Sequence, residues 1–279
     1  MKLLLNKNFD PNPWPKSDRT ALQLALFANK HGQTSIGLAN NLLGKGADPD
    51  LVGRKDPLTP LQQAARQGNL EVVYFLLEHH ANVNKHGEPD PSATHQSDDI
   101  LLTPLQLAIK GRHPPIIETL LKYKAGVDLR AKRTNALPGG HEQAIIDPFL
   151  TPLQLAVSSS YPECVEILLR YNADVNSPAH PQSGATVLQY AAMKGYVGLA
   201  EILLEKGARV NAAAAEHDGR TALEGAAEYG RLDMVQLLLN AGARVDGPDL
   251  KRALERAEKN GHLALKEYLE EKCAGVVDR

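Results

Sequence analysis

The sequence predicts an all-α protein built as a solenoid of stacked helix–turn–helix units. The clearest unit runs from Thr221 to Asp246, where two short apolar patterns at helical spacing are separated by Gly230. Gly242 follows the second pattern, at the place where a helix end favours a left-handed residue. Helices this short cannot bury their apolar faces alone, so the unit needs copies of itself as neighbours.

Six copies of this unit follow one another along the chain. They lie near residues 20–50, 59–84, 103–128, 151–176, 186–211 and 221–246. Residues 248–271 keep the apolar spacing but carry charge on their other faces, as a terminal cap requires. We therefore predict one repeat domain over residues 1–271, followed by a tail at 272–279.

The first residues of the chain match half of a unit. The leucines at 3–5 correspond to those at 237–239, and Asn8 stands where the clearest unit has Gly242. Residues 1–12 are thus predicted to be a partial N-terminal repeat. Two explanations remain open: the protein has a shortened cap, or the chain was cut from a longer one.

A fixed order of residues marks each unit. Three units begin with Thr-Pro-Leu, because threonine caps a helix start and proline fits the first helical position. An alanine, a glycine, an apolar second helix and endings such as Ala-Asp-Val-Asn follow. This pattern resembles the ankyrin repeat, and its style is similar to that of fungal ankyrin proteins. The resemblance covers nearly the whole chain and implies an ankyrin-repeat solenoid with loop or hairpin fingers.

One departure from that family recurs in this chain. The family usually has histidine after Thr-Pro-Leu, whereas glutamine stands there in five units. A glutamine side chain both donates and accepts hydrogen bonds, so we expect it to tie neighbouring loops together in place of the histidine. These glutamines are Gln23, Gln62, Gln106, Gln154 and Gln189.

Charge and cysteine content narrow the classes of function. The chain has 31 basic and 33 acidic residues and a formal net charge of −2, which argues against a nucleic-acid-binding face. Its two cysteines, Cys164 and Cys273, are far apart in sequence, so we expect a reducing compartment, the cytoplasm or the nucleus. No apolar run approaches the roughly 20 residues of a membrane span. We therefore predict neither nucleic-acid binding nor membrane binding.

The spacing between successive unit starts varies along the chain. It is 35 residues from Thr151 to Thr186 and again from Thr186 to Thr221, close to the family period of about 33. Across the three earlier intervals it is 39, 44 and 48 residues. Most of the excess lies in two long loops, 85–102 and 129–150. By resemblance these loops border the concave groove, and long loops on compact scaffolds are often functional.

Few residues suggest catalytic or metal chemistry. Segment 139–142 carries acid and base side chains, but no nucleophile motif accompanies it. We predict no catalytic residue, no metal site and no cofactor. The alternative is a small-molecule-binding or catalytic site roofed by loops 85–102 and 129–150. Four histidines lie close in sequence without the offsets of a metal site, namely His79, His80, His86 and His95.

The leading hypothesis is a non-enzymatic protein–protein interaction scaffold. We expect it to bind a protein or peptide partner through the concave groove and the long loops, as a monomer or as an arm of a larger multidomain chain. By resemblance, contact positions follow the alanine pair of each first helix or lie near its starting threonine. The candidate partner-binding residues are Leu58, Arg66, Gln67, Leu102, Lys110, Phe149, Leu150, Ser158, Ser159, Met193, Lys194, Arg220, Glu228 and Tyr229.

Three of these candidates, Leu58, Leu102 and Leu150, form a predicted apolar strip beside the long loops. Two interpretations of the strip are open. In one, the loops cover it, with Ile145 and Ile146 folding back over it. In the other, the strip is part of an exposed partner groove.

Overall fold

Fourteen α-helices and no strand make up the part of the chain that the computed structural model describes. That part comprises residues 10–12, 19–27, 35–53, 57–87, 102–131, 150–180 and 184–277. The helices confirm the all-α prediction. The chain forms two compact units, Met1–Gln143 and Ala144–Arg279. The single domain over 1–271 stays a prediction.

The helices of the first unit come in packed pairs. In chain order they are α1 (Ala21–Phe27), α2 (Ile36–Gly44), α3 (Pro60–Gln67), α4 (Leu70–Glu78), α5 (Pro104–Lys110) and α6 (Pro114–Lys122). Each odd-numbered helix packs against the helix that follows it, and also against the next odd-numbered helix of the unit. We call the odd-numbered helices inner and the even-numbered helices outer.

The second unit repeats this arrangement with four pairs. Its helices are α7 (Pro152–Ser158), α8 (Pro162–Arg170), α9 (Val187–Lys194), α10 (Val197–Glu205), α11 (Ala222–Glu228), α12 (Leu232–Asn240), α13 (Gly247–Lys259) and α14 (Leu263–Val277). The inner helices α7, α9, α11 and α13 pack in succession. We call α13, which lies in the predicted C-terminal cap, the capping helix.

A reciprocal capping box starts several inner helices. At α9, the Thr186 side chain accepts the Gln189 backbone N–H over 3.3 Å, and the Thr186 N–H donates to Gln189 Oε1 over 2.8 Å. Helices α3, α5 and α7 begin in the same way. The box satisfies N–H groups that have no acceptor within the helix, and it confirms the predicted capping role of threonine.

The same glutamines make a second set of bonds that reaches the following repeat. In the first unit, the Gln62 side-chain amide donates to the Leu102 carbonyl over 2.7 Å. In the second unit, Gln189 Nε2 donates to the carbonyls of Ala212 and Ala213, each over 3.0 Å. Both glutamines are buried, so the bonds satisfy side-chain amides that have little access to water. The expectation that glutamine ties neighbouring loops together is confirmed.

Asparagine side chains form a second bridge between repeats. Asn176 Nδ2 donates to the Gly207 carbonyl over 2.9 Å, and its Oδ1 accepts the Arg209 N–H over 2.9 Å. Asn12 makes the same pair of bonds with Gly46 and Asp48, each over 2.8 Å. Asn12 thus bonds as Asn176 does; the partial repeat at 1–12 stays a prediction, and its residues 1–9 lie outside the described part.

The outer helices end in left-handed residues as predicted. Gly46, Gly207 and Gly242 have φ between 83° and 87°. His80 and Lys124 adopt φ of 62° and 67° at the same place. A side chain in this conformation costs roughly 1 kcal/mol relative to glycine, so these two helix ends are less favourable than the glycine-terminated ones.

The buried glutamine bridge predicts a large effect of an isosteric change. Gln189→Leu should lower the free energy of unfolding by about 2–4 kcal/mol, because it leaves the Thr186 N–H and two carbonyls without their partner. Gln236 is an exposed glutamine on α12, so Gln236→Leu is the matched control and should change stability by less than about 0.5 kcal/mol. Urea unfolding of both variants measures the difference. Equal, small effects would contradict the bridge.

Candidate functional site

An open cavity of about 520 Å³ lies where the inner helices of the second unit end. Three tyrosines and a methionine supply most of its lining, with two cations at its edge. The lining residues are Ser158, Tyr190, Met193, Lys194, Tyr196, Tyr229 and Arg231. We call this site the tyrosine pocket.

A glycine on α11 makes room for the methionine of the pocket. A Cβ atom built at Gly225 would lie 2.7 Å from Cγ of Met193, closer than real atoms approach. Gly225 is itself buried, so the methionine side chain lies directly against the α11 backbone. The absence of a side chain at Gly225 therefore sets the position of Met193.

The residues before the outer helices reach back to the preceding repeat. The Tyr196 hydroxyl, just before α10, donates to Ser160 Oγ over 2.5 Å. Arg231, just before α12, packs its Cδ 2.9 Å from the place of a Cβ at Gly195, whose φ is +74°. Glycine tolerates this left-handed backbone, and its missing side chain leaves space for the arginine stem.

The charges around the pocket are unbalanced. Lys194 and Arg231 form no salt bridge with any residue of the described ranges. Glu228, which directly precedes Tyr229 of the pocket wall, pairs with Arg220 and with Arg256 of α13, the latter over 3.0 Å. The hydrogen bond from Arg220 holds the pKa of Glu228 below its ordinary value, despite partial burial. The carboxylate of Glu228 is thus engaged away from the two cations.

A second carboxylate of α11 binds the capping helix. Glu224 stands where the other units have glutamine, and its side chain is only 1% exposed. It accepts from Arg252 Nε over 2.8 Å and lies 3.5 Å from Arg256 Nε. The bond to Glu224 raises the pKa of Arg252 above its ordinary value. The arginines of α13 thus replace the loop carbonyls that glutamine bonds elsewhere.

Four of the predicted partner-binding residues meet in the tyrosine pocket: Ser158, Met193, Lys194 and Tyr229. Ser159 is the next residue after Ser158 and caps the end of α7. Arg66, Gln67 and Lys110 lie at the ends of α3 and α5 in the other unit. Arg220 and Glu228 pair with each other. Phe149 lies outside the described residues.

The exposed-strip interpretation is wrong for the three leucines before threonine. Leu58 is 3% exposed, and Leu102 and Leu150 are each 5% exposed. Leu58 and Leu102 pack into one buried cluster with Leu107 and Ala131. Side chains that are already buried cannot contact a partner in this structure. The suggestion that Ile145 and Ile146 cover them lies outside the described residues.

Three lining residues escaped the sequence prediction: Tyr190, Tyr196 and Arg231. Tyr190 directly follows the glutamine that recurs in five units, and the other four units have leucine or a further glutamine at this position. An aromatic residue at this position alone was a sequence signal that could have identified Tyr190. Tyr196 and Arg231 belong to the turns before the outer helices, and nothing in their spacing indicates that they reach the pocket.

The described ranges contain no cluster of metal ligands and no membrane-spanning helix. Within them, no group of three or more His, Cys, Asp or Glu side chains is placed to hold a metal ion. His79 bonds the Phe75 carbonyl and the Asn40 side chain on the outer helices.

None of the described helices combines the length and apolarity needed to cross a bilayer. Cys164 and Cys273 are both buried, and neither forms a disulfide bond.

A family model of ankyrin repeats (three copies) matches residues 27–133, 92–179, 134–214 and 179–249. The chain belongs to the ankyrin-repeat family. Ankyrin repeats are generally protein–protein interaction modules, and the family is typically non-enzymatic.

Two curated relatives share part of this ankyrin-repeat chain. One is alpha-latroinsectotoxin-Lt1a of Latrodectus tredecimguttatus, 38% identical over 79 residues. The other is the ankyrin repeat and KH domain-containing protein mask of Drosophila melanogaster, 35% identical over 117 residues. The matches cover 28% and 42% of this chain, but only 5% and 2% of those proteins. The likeness therefore concerns repeats within much longer chains.

The pairing of Glu224 with the capping helix leads to a testable coupling. Arg252→Ala should destabilise the chain by about 1–3 kcal/mol, because the buried Glu224 loses its closest donor. Adding Glu224→Gln should recover most of this loss, since the uncompensated charge disappears. Urea unfolding of both single variants and the double variant gives the coupling.

The control for this cycle is Lys251→Ala, whose pair with Glu255 is exposed and should contribute less than about 0.5 kcal/mol. Effects of Arg252→Ala and Glu224→Gln that simply add would contradict the proposed pairing.

Proposed function

We propose that this chain is a non-enzymatic scaffold that binds a protein partner through the tyrosine pocket. The observation that carries the proposal is the pocket itself: three tyrosines and a methionine line an open cavity that the described residues leave unfilled. Tyrosines are enriched among the residues that dominate interface energies, because they bury a large, rigid surface and keep a polar group available.

The exposure of Tyr229 supports this choice of surface. Its side chain is 48% exposed, whereas most large apolar side chains of the described ranges are buried. Met193 beside it is unbranched and adapts to differently shaped partner groups. A pocket with one adaptable and several rigid members suits an extended or helical segment of another protein.

Other parts of the proposal rest on sequence and family. The ankyrin resemblance implies a concave groove. This groove and the long loops, 85–102 and 129–150, would extend the contact surface beyond the pocket. A cytoplasmic or nuclear location is proposed because the chain has only two cysteines, which lie far apart in sequence. A monomer, or an arm of a larger multidomain chain, and a lack of nucleic-acid or membrane partners remain proposals of the same kind.

No observation on the described residues favours the alternative, a small-molecule or catalytic site roofed by loops 85–102 and 129–150. A smaller cavity of about 290 Å³ lies elsewhere in the second unit, among alanines at 212–215. Its charged lining residues are Arg209 and Glu216, and it has no nucleophile paired with a base.

Affinity capture with matched tyrosine variants tests the proposed surface. Tyr229→Asp should reduce the retention of specific partners about 30-fold or more, since truncation of a central interface tyrosine costs roughly 2 kcal/mol or more. Tyr74 lies on α4, is 41% exposed and does not line the pocket, so Tyr74→Asp should retain the same partners as the unmodified chain.

Circular dichroism checks that both variants stay folded. Equal retention of every specific partner by folded Tyr229→Asp would overturn the placement of the binding surface in the tyrosine pocket.

A further inference from the structure

We propose that the tyrosine pocket selects an acidic segment of a protein, in which an apolar anchor residue is flanked by aspartate or glutamate. This inference rests on the proposed function and names the chemistry of its partner. It is carried by the charges at the pocket, by the shape of its apolar wall and by the engagement of the nearby carboxylates.

Two cations define the polarity of the site. Lys194 ends α9 and Arg231 precedes α12, and both line the cavity. No carboxylate from the described part of the chain lines it. Because the whole chain carries a net charge of −2, this local excess of positive charge is not a general property of its surface. Such a patch steers negatively charged segments towards it and repels basic ones.

The acidic residues closest in sequence do not neutralise this excess. Glu228 is held by Arg220 and Arg256, and Glu224 is held by Arg252 on the capping helix. Asp233 lies two residues after Arg231 but forms no salt bridge with it. The α11–α13 ion pairs therefore leave Lys194 and Arg231 available for the carboxylates of a partner.

The apolar part of the pocket specifies an anchor. Met193 lies close to the α11 backbone because Gly225 has no side chain, and Tyr190 lies one helical turn before it. Tyr229 stands beside them with about half of its surface exposed. A leucine, methionine or phenylalanine side chain of a partner would bury apolar area against this wall, while its acidic neighbours face the two cations.

The size and openness of the site favour a protein segment over other anions. Two cations are too few for a nucleic-acid face, which requires several phosphate contacts along a basic surface. A small free anion would gain only ion pairs with two cations in an open cavity, and single solvent-accessible ion pairs contribute little. A protein segment that carries both an apolar anchor and carboxylates binds the apolar wall and the two cations at the same time.

A displayed peptide library tests the inference on the full chain. The probe is a phage library of random 12-residue peptides, selected on the unmodified protein and counter-selected on Tyr229→Asp. We expect the enriched peptides to carry an apolar residue flanked by aspartate or glutamate. Enriched peptides that are neutral or basic would overturn the inference while leaving the proposed function standing. A selection that yields no Tyr229-dependent peptide would overturn both.

Charge reversal then tests the two cations directly. The dissociation constant of an enriched peptide should rise at least about tenfold for Lys194→Glu combined with Arg231→Glu. It should also rise between about 0.05 M and about 0.5 M salt, because dissolved ions reach an open cavity and screen its charges. Unchanged affinity in the doubly reversed protein would overturn the inference.

The matched control is Lys206→Glu combined with Arg244→Glu. Both residues are exposed in the same unit, neither lines the pocket, and the change in net charge is identical. This control should bind the peptide as the unmodified chain does. An equal loss of affinity in the control would show that net charge, not the pocket, governs binding, and would overturn the inference.

Discussion

The described structure depends on a glutamine side chain that completes the capping box of its own helix and also bonds to the following repeat. In the second unit, Gln189 accepts the Thr186 N–H and donates to two carbonyls of the next loop. Gln189 and Thr186 are buried, so losing the glutamine side chain leaves the Thr186 N–H without its acceptor and breaks the bonds to the next loop. The helices are short and have few turns of their own. Packing between inner helices and these polar bridges together hold each repeat to its neighbour.

At α11 the same position of the repeat forms a different bond to the following helix. Glu224 replaces the glutamine, and α13 supplies Arg252 and Arg256 in place of loop carbonyls. Glu228, four residues later, pairs with Arg256 in the same way. These three ion pairs hold the capping helix against α11 and engage the α11 carboxylates away from the cations of the tyrosine pocket. The replacement of glutamine by Glu224, with its ion pairs to α13, therefore affects the charge balance at the proposed binding surface.

The sequence predicted the helices and the glutamine bridges because both follow local rules. A threonine three residues before a glutamine forms a capping box wherever an apolar helix follows, and a buried glutamine must then satisfy its amide elsewhere. The pocket was predicted only in part. Met193 and Tyr229 lie near the ends of inner helices, at the contact positions that the ankyrin resemblance implies. Arg231 instead reaches the pocket across Gly195 in the preceding repeat, and no such rule indicates it. The burial of Leu58 depends on Leu107 and Ala131, which are distant in sequence, so the sequence alone left its exposure open.

The most direct test of this account measures the side-chain amides of the buried glutamines by nuclear magnetic resonance. Couplings through the hydrogen bond should connect Nε2 of Gln62 to the carbonyl carbon of Leu102, and Nε2 of Gln189 to those of Ala212 or Ala213. The amide protons of both glutamines should also exchange with solvent far more slowly than those of the exposed Gln236. Exchange as fast as that of Gln236, with no such couplings, would contradict the account.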